Sequence, residues 1–240
     1  MTLIDNIKTL KSWIKESNQV VFFGGAGVST ESGIPDFRSV DGLYHMKYSE
    51  PPEIILSHTY FIEHTAKFYK FYRDKMIYAN AMPNIAHKKL SSLENQGKVK
   101  GVITQNIDGL HQKAGSNRVL ELHGSVFRNY CMSCGAFHSL EEIMSSDTVP
   151  LCACGGIIKP DVVLYEEGLD QSVWAEAIRL ITRADLLIIG GTSLRVYPAA
   201  GLIDYYVGKH MVLINKSMTP YYKEADLLIQ AGLGEVFSEL

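Results

Sequence analysis

Six short, wholly apolar runs punctuate the chain: Val20-Val21-Phe22-Phe23, Val102-Ile103, Val119-Leu120, Leu186-Leu187-Ile188-Ile189, Val212-Leu213-Ile214 and Leu227-Leu228-Ile229. A strand buried on both faces reads as a continuous apolar run, whereas a half-buried strand alternates. Helical patterns lie between several of these runs, notably over 171–183 and 198–208. Leu3, Ile7, Leu10 and Ile14 give residues 2–18 the spacing of an amphipathic helix. Buried strands alternating with helices predict an α/β fold, a doubly wound Rossmann-like parallel sheet.

Two stretches break this rhythm. Residues 39–83 carry Phe61, Phe68, Tyr69, Phe71 and Tyr72 at helical separations and predict a helical insertion. Residues 127–160 hold all four cysteines among glycines and prolines and predict a small metal-stapled insertion. The expected large domain is then 1–38, 84–126 and 161–240. The helical module (39–83) and a zinc-ribbon module (127–160) make up a smaller second domain.

Cys131-x-x-Cys134 has zinc-knuckle spacing, and Cys152-Ala153-Cys154 is one residue tighter than the usual second pair. In an extended segment, side chains two apart point to opposite faces. Both sulfurs reach one metal only if the chain turns, and Gly155-Gly156 allows that. Four thiolates leave no open coordination position, so the expected zinc is structural. Iron–sulfur ligation is the alternative.

At 240 residues the chain is long enough for one large core, or for one core with a smaller satellite. The formal net charge of −3 gives no electrostatic reason to expect a nucleic-acid partner, and leaves a basic peptide open as substrate. No apolar run approaches the roughly 18 residues of a membrane span. Residues 1–19 lack the apolar core of an export signal. Cysteines used as ligands suit a reducing compartment. The expected location is the cytoplasm, with no membrane partner.

Gly24-Gly25-Ala26-Gly27-Val28-Ser29-Thr30 follows the first apolar run. Glycines let backbone N–H groups approach phosphate closely, though an ordinary turn has the same composition. The spacing is not the G-x-G-x-x-G of hydride-transferring dehydrogenases. Close behind come Phe37, suited to core packing or a pocket, and Arg38, suited to a pyrophosphate or a surface ion pair. Gln105, Asn106 and Asp108 directly follow another strand, at the carboxyl end where open α/β sheets bind ligands. Asp108 also suits the cap of a short helix, and His111 suits a structural role. His123 ends the strand running from Val119 and is followed by Gly124, an arrangement that suits a general base.

Taken in order, these motifs resemble those of the sirtuins, NAD-dependent protein lysine deacylases. The matching residues are Gly25-Ala26-Gly27-x-Ser29, Gly33-Ile34-Pro35-Asp36-Phe37-Arg38, Thr104-Gln105-Asn106-Ile107-Asp108-Gly109-Leu110-His111, His123-Gly124, the cysteine pairs, Lys159-Pro160-Asp161-Val162-Val163 and Gly191-Thr192-Ser193-Leu194. They span nearly the whole chain.

The resemblance implies NAD as co-substrate, bound between the two domains. Gly25, Ala26, Gly27, Thr30 and Arg38 would border the phosphates and nicotinamide ribose. Gln105, Thr192, Ser193 and Asn215 would contact ribose or adenine-side groups. Ile107 and Asp108 would hold the nicotinamide carboxamide, and Phe37 would shield the intermediate. Asn106 would order the ribose and a water, and His123 would take a proton from a ribose hydroxyl. An acyl-lysine peptide would add as a strand between 163–167 and 194–197, with Val163, Tyr165 and Val196 as contacts. The products would be lysine, nicotinamide and O-acyl-ADP-ribose. Tyr165-Glu166-Glu167 stands where the family often has Phe-Gly-Glu, and Arg195 where an apolar residue is common. The Tyr-x-x-Arg of the branch that removes acidic acyl groups is absent, since Tyr72 follows Tyr69 and Arg73 comes one place late. Acetyl or another neutral acyl group is therefore the expected substrate. ADP-ribosyl transfer and a non-catalytic NAD- or peptide-binding module are the competing readings.

Overall fold

The computed structural model describes residues 2–37, 42, 50–217, 219 and 223–240. Helix α1 (Leu3–Glu16) opens on a capping box between Thr2 and Asp5 and buries Ile7, Leu10 and Ile14. It leads into strand β1 (Val20–Gly24), which is buried throughout. Three short helices follow: α2 (Pro52–Ile55), α3 (His58–Glu63) and α4 (Thr65–Lys75). Then come α5 (Ile85–Asn95), β2 (Val99–Thr104), α6 (Leu110–Lys113) and β3 (Val119–Glu121). The cysteine region contributes β4 (Gly124–Cys131), β5 (Phe137–His138), α7 (Leu140–Ser145) and β6 (Ile158–Val162). The chain ends with α8 (Gln171–Thr182), β7 (Leu186–Gly190), β8 (His210–Ile214), β9 (Leu227–Ile229) and α9 (Leu233–Ser238).

The six apolar runs form one parallel sheet, ordered β3-β2-β1-β7-β8-β9. Counted along this sheet, the order is 3-2-1-4-5-6, the Rossmann arrangement, with its switch point between β1 and β7. Alternate residues of β1 feed opposite faces. Val20 and Phe22 join one core with α1, α5 and α9, while Val21 and Phe23 join another with α8. The helical pattern over 198–208 is a 3₁₀ segment, Ala199–Tyr205, and not an α-helix.

A third core draws Phe61, Phe68, Tyr69 and Tyr72 from the helical insertion. Val126, Ile143, Ile158 and Val162 from the cysteine region complete it. Tyr69 donates its hydroxyl proton to the Ile158 carbonyl, tying α4 to the antiparallel sheet β5-β4-β6. Arg73 lies over the Tyr69 ring and donates to the Thr148 carbonyl at 2.6 Å. Among the described residues, no helix is long and apolar enough to cross a membrane.

Candidate active site and metal centre

The site collects at the carboxyl ends of β1, β2 and β7. Gly25 N donates to the Gly190 carbonyl at 3.3 Å, and Gly27 N to the Gly191 carbonyl at 2.7 Å. The glycine turn is thereby laced to the loop after β7, across the switch point. A Cβ on Gly27 would stand 2.8 Å from both Cα and O of Gly191, so only glycine permits this approach. The turn continues through two 3₁₀ segments, Ala26–Val28 and Thr30–Ser32, and Thr30 Oγ1 donates to the Gly27 carbonyl at 3.1 Å.

Gln105 joins the two sides of the switch. Its backbone N–H donates to the Gly24 carbonyl at 2.9 Å, and its Nε2 to Thr192 Oγ1 at 3.1 Å. Asn215, after β8, donates Nδ2 to the Thr192 carbonyl at 3.1 Å. Ser193 and Val196 lie on the loop after β7, where the Val196 carbonyl accepts the Ala200 N–H at 2.9 Å. Phe37 and Ile107 pack against the third core. Arg38 lies outside the described residues.

Asn106 Nδ2 donates to Ser29 Oγ at 3.1 Å, and Ser29 Oγ donates to Asp108 Oδ2 at 2.6 Å. Burial raises the Asp108 pKa, opposed by the bonds from Ser29 and from the Leu110 N–H. Asp108 is thus both helix cap, accepting Leu110 N at 2.9 Å, and a carboxylate presented beside Asn106. Ser29, itself 1 % exposed, is the residue whose role the sequence did not reveal. A hydroxyl inside a glycine turn has no periodic signature, and only its place in the motif marks it.

His123 follows β3. Its Nδ1 lies 2.9 Å from the Gln105 carbonyl oxygen. A carbonyl only accepts, so Nδ1 carries the proton and Nε2 keeps its lone pair. Burial depresses the His123 pKa, partly offset by that carbonyl. The His123 carbonyl in turn accepts Val163 N at 3.1 Å, which hangs the 163–167 segment on the histidine's own backbone. Neither 163–167 nor 194–197 is itself a regular strand. Tyr165 N donates to the Leu56 carbonyl, and its own carbonyl accepts His58 N, both at 3.0 Å. Its backbone groups are therefore held by the helical insertion. Glu166 has φ of 75°, and its carboxylate accepts Thr59 N at 2.9 Å and Thr59 Oγ1 at 2.7 Å.

The sequence expectation for His111 holds in its structural form. It is 1 % exposed, packed 4.7 Å from the His87 ring, and burial depresses its pKa to about 3.

In the metal centre, the Sγ atoms of Cys131, Cys134, Cys152 and Cys154 all lie within 4.8 Å of one another. Cys131 and Cys154 are 3.5 Å apart, and Cys134 and Cys152 3.7 Å. Tetrahedral sulfurs at about 2.3 Å from zinc stand roughly 3.8 Å apart, so the four thiolates fit the ion. The tight Cys152–Cys154 pair converges because the chain turns there: Gly155 N donates to the Cys152 carbonyl at 2.8 Å, with Gly155 at φ of 85°. A Cβ on Gly156 would meet Cys131 Sγ at 2.7 Å, so the turn has no room for a side chain.

A glycine turn at the switch point of a 3-2-1-4-5-6 sheet defines a dinucleotide-binding type of protein, here with a second lobe closed by four thiolates. Residues 25–198 match the Sir2 family model, and the chain belongs to that family. It is 59% identical over 240 residues to an "NAD-dependent protein deacetylase" of Clostridium acetobutylicum, covering 98% of each chain. Among solved structures it resembles a Sir2 variant with deacetylated p53 peptide and 3′-O-acetyl ADP ribose, at 40% identity and TM-score 0.90. That match covers 97% of this chain and 96% of the other. It also resembles Sir2Tm bound to a propionylated peptide, at 39% identity and TM-score 0.86, covering 97% and 95%.

Proposed function

We propose that this protein removes acetyl, or another neutral acyl group, from protein lysine side chains. NAD is consumed as co-substrate, and the products are free lysine, nicotinamide and O-acyl-ADP-ribose. The observation that carries this reading is the convergence of the Asn106–Ser29–Asp108 chain with a His123 whose proton is fixed on Nδ1.

The roles follow from the groups present. The glycine turn brings Gly25, Ala26, Gly27 and Thr30 beside the pyrophosphate, with the Gly25 and Gly27 N–H groups bonding the loop after β7, and Arg38 adds a guanidinium. Gln105, Thr192, Ser193 and Asn215 take the ribose and adenine side. Asp108, an acceptor, suits the carboxamide N–H groups of nicotinamide, and Ile107 packs beside it. Asn106 orders the ribose. The acyl oxygen of the substrate attacks the anomeric carbon as nicotinamide departs. His123 Nε2 then takes the proton of a ribose hydroxyl, whose oxygen attacks the former acyl carbon. Water completes the release of free lysine. Phe37 and Ile107 keep bulk water from the cationic sugar.

Segments 163–167 and 194–197 flank the peptide, with Val163, Tyr165 and Val196 as contacts. Backbone hydrogen bonds to a peptide favour modest sequence selectivity. The neutral acyl preference is supported by Arg73, whose guanidinium is engaged by the Thr148 carbonyl. Zinc on the four cysteines supplies a fixed crosslink, with no open position for chemistry. The domain division 1–38, 84–126 and 161–240 against 39–83 and 127–160 is supported by the core that the two insertions share. A cytoplasmic site of action is supported by cysteines arranged as ligands. A net charge of −3 supports a protein substrate over a nucleic-acid partner. The test is nicotinamide release on adding acetyl-lysine peptide to protein and NAD. Release that depends on the peptide is expected, and its absence would remove the reading.

A further inference from the structure

Asn84 lies outside every motif assigned to the site. It caps α5: its Oδ1 accepts the N–H of Ala86 at 3.0 Å and of His87 at 3.4 Å. Capping needs only that acceptor. Thr2, Ser139 and Asp170 serve α1, α7 and α8 with hydroxyl or carboxylate oxygens. The amide nitrogen of Asn84 reaches elsewhere. It donates to the Val28 carbonyl at 2.8 Å and to Ser32 Oγ at 3.0 Å, across more than fifty residues of chain.

Both partners belong to the glycine turn. Between them stands Ser29, whose hydroxyl joins Asn106 to Asp108. On its other side, Asn84 N donates to His87 Nδ1 at 3.3 Å. The His87 ring packs 4.7 Å from that of His111, three residues beyond Asp108. Asn84 therefore meets the two segments that converge on the site, one directly and one through His87.

We propose that Asn84 is a positioning residue for the NAD side of the reaction: it fixes the 28–32 turn, and through it the Ser29 hydroxyl that aligns Asn106 and Asp108. It touches neither substrate. The proposal rests on the NAD-dependent reading of the site.

Asn84→Asp separates this role from capping. An aspartate caps as well as an asparagine, but it cannot donate to Val28 and sets a carboxylate oxygen against that carbonyl. Asn84→Ser caps without adding charge and lacks the reach, so it repeats the test if the aspartate fails to fold. The full-length variants are assayed for KM of NAD, KM of acetyl-lysine peptide and melting temperature. Loss of the donated bonds is expected to raise KM for NAD about five- to tenfold, with peptide KM unchanged and the fold retained. An unchanged KM for NAD in a folded variant would overturn the assignment of Asn84 alone. A wild-type protein that neither binds nor consumes NAD would remove the underlying reading and this proposal with it. A fall in melting temperature with no rise in KM for NAD would reduce Asn84 to a helix cap.

Discussion

The Nδ1 of His123 lies 2.9 Å from the carbonyl oxygen of Gln105, the residue that also bridges β1 to Thr192. One residue thereby sets the tautomer of His123, the proposed base, and links both sides of the glycine turn. Burial holds the His123 pKa below the ordinary histidine value, so the ring is neutral and basic at neutral pH. Turnover is expected to fall only as pH drops below that ordinary value. A kcat–pH profile checks this, and an acid limb above the free-histidine value would contradict it. His123→Ala should lower kcat by about a hundredfold or more, with NAD and peptide binding largely retained by calorimetry.

The metal centre predicts a coupled loss. Cys131 is buried in the third core, so its thiolate serves both metal and packing. Cys131→Ser, or removal of zinc by a chelator, should release metal and lower the melting temperature, because binding free energy at such sites is folding free energy. Metal content and melting measured together check this. Retained metal with unchanged melting would count against it.

His87 and His111 predict an acid-labile fold. Both are buried and unprotonated, with burial pulling their pKa values down to about 4 and about 3. The unfolded chain takes up those protons near pH 6.5, so it binds more protons than the native state below that pH. Stability is complete above about pH 6.5 and is lost as pH falls toward the folded values, by roughly 3 kcal/mol for His87 alone. Denaturant unfolding at neutral pH and at about pH 5 checks the sign. His87→Gln should flatten the dependence.

Gly124 follows His123 with φ of 73°, and a Cβ there would strike the Asp161 carbonyl oxygen. That carbonyl is backbone of β6 and has nowhere to move without shifting the Val163 bond to His123. Gly124→Ala should therefore destabilise the protein and depress kcat together. Native melting and kcat in the variant would show that the contact relaxes freely.

What the sequence made legible follows from burial. β1, β7 and β8 are covered on both faces, so they are written as unbroken apolar runs. β4 carries Arg128 and Asn129 within a register irregularity between Gly124 and Asn129, and has no such run to recognise. Arg128 bonds Asp161 at 2.7 Å and Glu121 at 2.6 Å, so its charge serves the junction of the two sheets. The cysteines, His123, Asn106 and Asp108 stood out by spacing or by their place after strands. Ser29 and Asn84 did not, because their roles rest on contacts between segments distant in sequence.

The most direct test of the central claim is mass spectrometry of an acetyl-lysine peptide incubated with the protein, with and without NAD. Loss of the acetyl group strictly with NAD, together with O-acetyl-ADP-ribose, is the expected result. Retention of the acetyl group with ADP-ribose added to protein would contradict the deacylase reading and point to transfer instead. Neither change, in protein shown to bind NAD and zinc, would contradict turnover of this substrate altogether.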